Sequence, residues 1–436
     1  MPTSLRRRDF LRLSLLGVGL TACRWLGLTT PPLPSTPSTV ASIPNKPSPF
    51  PPDETLASPA EATPITEPPP QTLPAQTESP FPAFIIDGHQ DIAWNALELG
   101  RNPMESAYTI RKKEENGDLP GMVGERVTGL PEYLSGRVGI IFASLFVAPA
   151  QNAYPGYHSV TYSTPQQAEA HASQQLHFYH QLAETEPRLL VITSSIELQT
   201  VVTSWTLPGQ QPLVGLVLVM EGADPILSPK DLPRWYNDGL RIIGPAWHAT
   251  RYSAGTGKPG PLTDLGRQLL AATSEYNMIL DLSHLAEAAA LEAVESYTGP
   301  VIASHSNPKP FLPSDRGLPD ETIQKIVAHD GVVGIMLYNR FLKPGWVEGD
   351  SREQVTLNTV AEAIDYVTQL SGDARHVAIG SDFDGGFGLN AIPQEMDSVA
   401  DLIQLADILA KRGFSREDIE AVANGNWLRI LKQSLP

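Results

Sequence analysis

Met278-Ile279-Leu280-Asp281-Leu282-Ser283-His284 is followed by an alanine-rich stretch, Ala286–Ser296, and then by Val301-Ile302-Ala303-Ser304-His305. Each outer piece is a short apolar run of strand length, and the piece between them is long enough for a helix. Strand, helix and strand in that order make a βα repeat. A histidine follows each of the two strands.

The same alternation runs outward in both directions, from Phe84 to the C-terminus. Strands are predicted at Phe84–Asp87, Val138–Phe146, Leu213–Met220, Leu240–Trp247, Met278–Leu282, Val301–Ser304, Val332–Leu337 and Val377–Gly380. Helical stretches are predicted at Pro165–Ala183, Leu262–Glu275, Ala286–Ser296, Asp320–His329, Val355–Leu370 and Ser398–Arg412. Periodicity alone permits either a closed (β/α)8 TIM barrel or a doubly wound open sheet. What stands at the strand ends favours the barrel, where chemistry gathers at that face. His89 and Asp91 follow the first strand, Glu221 the third, His248 the fourth and His284 the fifth. His305 follows the sixth, Tyr338 the seventh and Asp382 the eighth. Closing the barrel brings these together. In His89-Gln90-Asp91, alternate residues of an extended segment point the same way, so imidazole and carboxylate can share one ion. A carboxylate such as Glu221 can bridge two cations.

The chain resembles the membrane (renal) dipeptidase family of metallopeptidases over nearly everything from Phe84 to Leu431. The resemblance rests on Ile86-Asp87-Gly88-His89-Gln90-Asp91, Met220-Glu221-Gly222, Asp281-Leu282-Ser283-His284 and Ala303-Ser304-His305-Ser306-Asn307. It continues through Arg316-Gly317-Leu318-Pro319-Asp320, Gly380-Ser381-Asp382-Phe383-Asp384-Gly385 and Asn424-Gly425-Asn426-Trp427-Leu428-Arg429. It implies two zinc ions, one on His89 and Asp91 and the other on His284 and His305, with Glu221 bridging both. It further implies that His248 stabilises the oxyanion, Arg316 holds the substrate carboxylate and Asp382 moves protons. Tyr338, which follows the seventh strand, is expected at the substrate. The reaction implied is hydrolysis of a dipeptide amide bond by metal-activated hydroxide. Gln90 stands where the family usually has Asn, Ala223 where it has a second Gly, and Trp247-His248-Ala249-Thr250 where it has Thr-His-Asn. These departures are expected to line the mouth of the site.

The first residues read as a targeting signal. Arg6, Arg7 and Arg8 precede the apolar run Leu15-Leu16-Gly17-Val18-Gly19-Leu20, which is too short to span a bilayer. Arg7-Arg8-Asp9-Phe10-Leu11 resembles a twin-arginine export signal, and Leu20-Thr21-Ala22-Cys23 a bacterial lipobox. Cys23 is the only cysteine, so no internal disulfide forms, and an exported lipoprotein held on a bilayer through Cys23 is expected. Residues 24–81 are rich in Pro, Ser and Thr, too poor in large apolar side chains to fold, and read as a disordered linker to a catalytic domain over 82–436. The net charge of −17 leaves no basic surface for a nucleic-acid partner. A homodimer is compatible with the sequence.

Other polar residues take structural readings. His171, His177 and His180 read as a solvated helix face, His329 and His376 as residues of the stability face, and His158 as a loop residue near the mouth. Lys112-Lys113-Glu114-Glu115 reads as an exposed charge run, and Asp87, Asp281 and Asp384 as partners of neighbouring ligands. Two rival functions stand beside the dipeptidase. One is an amidohydrolase-like barrel enzyme acting on lactams, lactones or N-acyl amino acids. The other is a non-catalytic solute-binding lipoprotein, for which the full ligand set has no use.

Overall fold

The computed structural model describes residues 82–152 and 160–436. Cys23, Arg7, Arg8, the linker and His158 lie outside the described residues. Eight strands form the barrel: β1 (Ile85–Gln90), β2 (Val138–Phe146), β3 (Val214–Glu221), β4 (Leu240–Gly244), β5 (Ile279–Asp281), β6 (Val301–Ala303), β7 (Val332–Ile335) and β8 (Val377–Ile379). Every pairing among them is parallel, and β1 pairs with β8 through Asp87 and Ile379, so the ring closes. A further strand, Leu189–Val191, pairs with the start of β3. Because β2 occupies the other edge of β3, this strand shares its edge with β4, which takes over from Leu218.

All eight predicted strands are present, with ends shifted by a few residues. β4 stops at Gly244 rather than Trp247 because Pro245 has no N–H to give the ladder. The helix expected from Leu262 starts at Asp264; Leu262 instead pairs with Ser253 in an antiparallel hairpin, and Thr263 Oγ1 caps the helix through Gly266 N–H at 3.0 Å. Ser398–Arg412 is not one helix but a 3-10 segment, Val399–Gln404, followed by an α-helix, Leu405–Lys411. Helices Ser195–Thr206 and Asn426–Ser434 were not anticipated. Nor is the run at Lys112 wholly solvated: Glu114 accepts two bonds, of 2.9 and 2.8 Å, from the buried guanidinium of Arg101.

Inside the barrel, Ile86, Ile140, Phe142, Val217, Val219, Ile242, Ile279, Ile302, Val332 and Ala378 pack with Trp427 and Ile430 of the C-terminal helix. The Trp427 indole donates to the Ile379 carbonyl at 2.8 Å. Side chains two residues further along share the same face of each strand. On the eight strands those positions are Gly88, Ser144, Glu221, Gly244, Asp281, Ser304, Gly334 and Gly380. Large apolar residues thus fill the interior up to one level and stop. The next level is small or polar, and the site lies there.

Candidate metal centre and active site

Each functional side chain hangs from a strand end. His89 is the penultimate residue of β1, Asp91 comes just after that strand ends, and Glu221 is the last residue of β3. His284, His305 and Asp382 come two or three residues after β5, β6 and β8. His284 and Asp382 have φ of 66° and 58°, left-handed conformations that L-residues rarely adopt. Such backbone persists where neighbours over-determine it, and it clusters at functional sites.

The two oxygens of Glu221 face different partners. Oε1 lies 3.1 Å from His284 Nε2 and 3.6 Å from His305 Nε2. Oε2 lies 3.4 Å from His89 Nε2, which is itself 3.6 Å from Asp91 Oδ1 and 4.0 Å from Asp382 Oδ1. His284 Nε2 and His305 Nε2 are 3.0 Å apart. Ligand atoms about 2.05 Å from a tetrahedral zinc sit roughly 3.3 Å from one another. The separations in the His284–His305 group bracket that spacing and those around His89 lie just above it, so the donors present fit two ions sharing Glu221.

The protonation states of His284, His305 and Glu221 agree. Burial, joined by the charges of His89 and Arg316, drives the His305 imidazole well below its usual range, and burial with the Arg316 charge lowers His284 to about 4. Both are therefore neutral near pH 7. Burial opposes ionisation of Glu221, but His89, His284 and His305 hold it well below the usual carboxylate range. For His89 burial also opposes charge, yet Glu221 and Asp91 outweigh it and raise the imidazole well above its usual range. Burial, with Asp91 and Glu221 adding to it, pushes Asp382 well up. Both nitrogens of His89 are buried without a hydrogen-bond partner among the described residues. Buried polar atoms are rarely left so, and a metal on Nε2 would account for one of the two.

Neighbouring groups set the ligands. Ser304 Oγ donates to Asp281 Oδ2 at 2.5 Å and stands 2.8 Å from His305 Nδ1. An ionised carboxylate only accepts, so the Ser304 proton goes to Asp281 and Nδ1–H donates to Ser304. That leaves the His305 Nε2 lone pair for a metal. Thr256 Oγ1 lies 3.1 Å from His284 Nδ1. Asp87 accepts from Ser381 N–H at 2.7 Å and Gln90 Nε2 at 2.6 Å, tying β1 to the Asp382 loop. Asp384, in a buried ion pair with Arg126 at 3.2 Å, accepts from Val127 and Thr128. Asp87 and Asp281 thus act on the neighbours of the proposed ligands, as their sequence positions suggested, whereas the Asp384 carboxylate holds the segment from Arg126 to Thr128 instead.

A cavity of about 690 Å³ opens above the cluster. Asp91, Glu221, His248, His284, Arg316, Tyr338 and Asp382 line it, beside Trp94, Phe146, Trp247 and Phe387. Every expected site residue among the described ones therefore converges here except His89 and His305, which lie beneath the floor with no exposed surface. Tyr338 is less available than expected: its hydroxyl donates to Glu348 and its ring stacks on Phe387 with centroids 4.2 Å apart. His248 Nδ1 donates to the Thr256 carbonyl, which leaves Nε2 as its only free polar atom. Arg316 donates from Nη1 to Ser306 Oγ at 2.7 Å and from Nη2 to the His305 carbonyl at 2.5 Å. Its Nε–H is buried and has no partner among the described residues.

Of the departures expected at the mouth, only Trp247 and His248 line the cavity. Gln90 points away, accepting from Tyr133 and donating to Asp87, and Ala223 is fully buried in the outer core. In the strand pleat Gln90 must face opposite to His89 and Asp91, so it was never placed to touch substrate. The serines at 283, 304 and 306 and Thr256 were missed. The one sequence signal of the serines was adjacency to His284 and His305, and Thr256 had none. His180 is not simply solvated, since its Nε2 lies 2.8 Å from the Asp238 carbonyl. His376 binds the Gly331 carbonyl at 2.8 Å below β8, at the stability face.

Residues 81–435 match the family model described as membrane dipeptidase, Peptidase family M19. The dipeptidase aclJ of Aspergillus oryzae is 28% identical over 354 residues, covering 80% of this chain and 77% of that one. An uncharacterized protein in the pqqA 5′ region of Klebsiella pneumoniae is 34% identical over 233 residues, 51% of this chain and 83% of that protein. Among solved structures, a metallo peptidase from Rhodobacter sphaeroides, liganded with a phosphinate mimic of the dipeptide L-Ala-D-Ala, aligns with a TM-score of 0.65. It is 25% identical and the alignment covers 80% of this chain and 99% of that one.

Proposed function

The chain belongs to the membrane dipeptidase family, and on that footing we propose that it is a binuclear zinc dipeptidase that hydrolyses the amide bond of free dipeptides. His89, Asp91 and Glu221 would hold one zinc, and His284, His305 and Glu221 the other. The observation that carries this reading is the division of the Glu221 oxygens between two donor sets, each spaced for a tetrahedral ion. Imidazole-rich donors suit zinc.

When bound, the ions would supply a water of lowered pKa and Lewis-acid polarisation of the scissile carbonyl. The rest falls to the side chains. Asp382, raised by burial, takes the proton from the attacking water and delivers it to the leaving amine. His248 has its Nδ1–H committed to the Thr256 carbonyl, so it donates to the oxyanion only from a protonated Nε2, as an imidazolium. A well-placed donor of this kind is worth about 3–4 kcal/mol. Arg316 has five N–H groups, two committed to Ser306 and His305. The remaining N–H groups on Nη1 and Nη2 are the ones left to grip the substrate carboxylate. A longer peptide has no carboxylate at that point, which restricts cleavage to dipeptides. Tyr338 contributes its ring to the cavity wall.

The test is elemental analysis of the purified protein together with a panel of dipeptides, lactams, lactones and N-acyl amino acids. Two zinc ions per chain and preferential turnover of free dipeptides are expected. Turnover confined to the lactams, lactones or N-acyl compounds would replace the dipeptidase by a broader amidohydrolase.

The chain is further proposed to be exported by its twin-arginine segment and anchored through acylated Cys23, with residues 24–81 as spacer. The support is the sequence of the signal and the position of the lone cysteine. Cys23→Ser is expected to move the protein from the membrane fraction to the soluble exported one; unchanged fractionation would remove the anchor.

A further inference from the structure

Arg316 and His305 are joined by more than proximity. Arg316 Nη1–H donates to Ser306 Oγ at 2.7 Å, and Ser306 Oγ–H to Ser283 Oγ at 3.3 Å. Ser283 Oγ stands 3.3 Å from Ser304 Oγ, which donates to Asp281 Oδ2 at 2.5 Å. Each hydroxyl has one proton, and both ends of the chain are fixed. A guanidinium only donates and an ionised carboxylate only accepts, so every link must point from Arg316 towards Asp281. Ser283 therefore donates to Ser304, which leaves Ser304 one lone pair for His305 Nδ1–H at 2.8 Å. Ser283 Oγ accepts in turn from the His305 N–H at 3.1 Å. Ser283, Ser304 and Ser306 are all buried, and the last two have no exposed surface. Water does not compete for these links.

We propose that this one-directional chain of buried serine hydroxyls couples the carboxylate-gripping Arg316 to the metal ligand His305, so that filling one site tightens the other. The inference rests on the proposed roles of Arg316 and His305. Hydrogen bonds in a row polarise one another, the more so between a cation and an anion in a buried setting. A carboxylate on Arg316 changes the charge at the head of the chain. A metal on His305 Nε2 makes Nδ1–H a stronger donor near its tail. Arg316 also holds the His305 backbone through the 2.5 Å bond to its carbonyl, so movement of the guanidinium moves the ligand. Linkage makes the effect reciprocal. The serines touch neither substrate nor metal and are positioning residues. The two 3.3 Å links, longer than well-formed O–H···O bonds, are where the chain is weakest.

The experiment reads each end from the other. Zinc affinity is measured without substrate by competition with a chelator, and KM is measured for a free dipeptide and its C-terminal amide. Ser306→Ala, at the arginine end, is expected to weaken zinc retention about five-fold or more. Ser306→Thr, which keeps the hydroxyl, restores it. Ser304→Ala, at the histidine end, is expected to raise KM for the free dipeptide about five-fold more than it raises KM for the amide. Ser283→Ala, in the middle, does both, and stands in for either end variant that fails to fold. If Ser306→Ala binds zinc as wild type does, the coupling is overturned, because the serines then make only local contacts. That arm needs no substrate, so it remains decisive even if wild type fails to cut dipeptides, which would overturn the functional reading instead.

Discussion

Truncation of Arg316 to alanine separates a substrate clamp from a structural brace, and the geometry sets the size of each. The guanidinium is 5% exposed, with Nη1 on Ser306 and Nη2 on the His305 carbonyl. Its loss leaves that carbonyl buried and unpaired, costing about 1–3 kcal/mol whatever the substrate. A free dipeptide loses in addition the pairing of its carboxylate in a buried pocket, which costs about 2–5 kcal/mol. That cost falls on folding stability, and any displacement of His305 that accompanies it lowers kcat/KM for both substrates alike. The carboxylate part adds a further factor of roughly 30 to several thousand for the free dipeptide alone. The assay is kcat/KM of wild type and Arg316→Ala on a dipeptide and on its C-terminal amide. The four values form a double-mutant cycle in which damage common to both substrates cancels. An equal loss on both would refute the clamp and leave Arg316 as a brace for His305.

In Glu221→Gln one bridging oxygen becomes an NH2 group, which donates and cannot ligate. Metal content is expected to fall to at most one ion per chain and turnover by about 100-fold or more, and two retained ions with normal turnover would dismiss the bridge. In Gly380→Ala the new Cβ meets the Ser304 carbonyl at 1.8 Å, so the backbone beside His305 must shift. A loss of about 1–3 kcal/mol of stability, together with weaker zinc binding, is expected; Gly121→Ala, with nothing within 4 Å, is the control and should be near neutral. Asp330 pairs with Arg375 at 3.0 Å and Arg429 at 2.9 Å, which outweigh partial burial and lower its carboxyl. A depressed pKa stabilises above the unfolded value of about 3.9 and is lost as pH falls through the folded one. The Tm gap between wild type and Asp330→Asn, small for so exposed a group, should close as pH falls below about 4; a gap that stays constant would show that the pairs contribute nothing.

The fold was legible because two independent signals agreed: strand-length apolar runs and ligand-type residues just beyond them. Burial on both faces makes a parallel strand read as an unbroken run such as Val138–Phe146, and its boundaries came out unchanged. The antiparallel hairpin was not legible. Ser253–Gly255 and Lys258–Leu262 carry Gly257, Pro259, Gly260 and Pro261, which argue against strands locally. What holds the hairpin is tertiary: Thr256 N–H donates to the His284 carbonyl at 2.8 Å, and Gly257, at φ 72°, makes the turn. The hairpin also brings Thr256 to both His248 and His284. The candidate metal ligands were legible because His, Asp and Glu at strand ends are uncommon. The serines were not, because serine is ordinary everywhere and its role depends on which way one proton points.

The glycines of the site level follow from the same geometry. A Cβ on Gly88, Gly334 or Gly380 would meet the Ser304 carbonyl at 2.6, 1.9 or 1.8 Å, so three strands crowd around one peptide group. That peptide group belongs to the residue that orients His305, and the crowding fixes His305 while leaving no room to relax. From below, Gly88 and Gly334 are also capped by Trp427, whose ring lies 2.8 and 3.0 Å from where their Cβ atoms would be. The C-terminal helix is therefore the floor on which the ligand rests. This explains why Asn426-Trp427, far from the chemistry, sits in a motif alongside the ligands: Asn426 donates to the Ala374 and Val377 carbonyls at 2.7 and 2.8 Å and so holds that floor against β8, whose end carries Asp382. Small residues above make the cavity, the large indole below keeps it from collapsing, and each choice is intelligible only in the presence of the other.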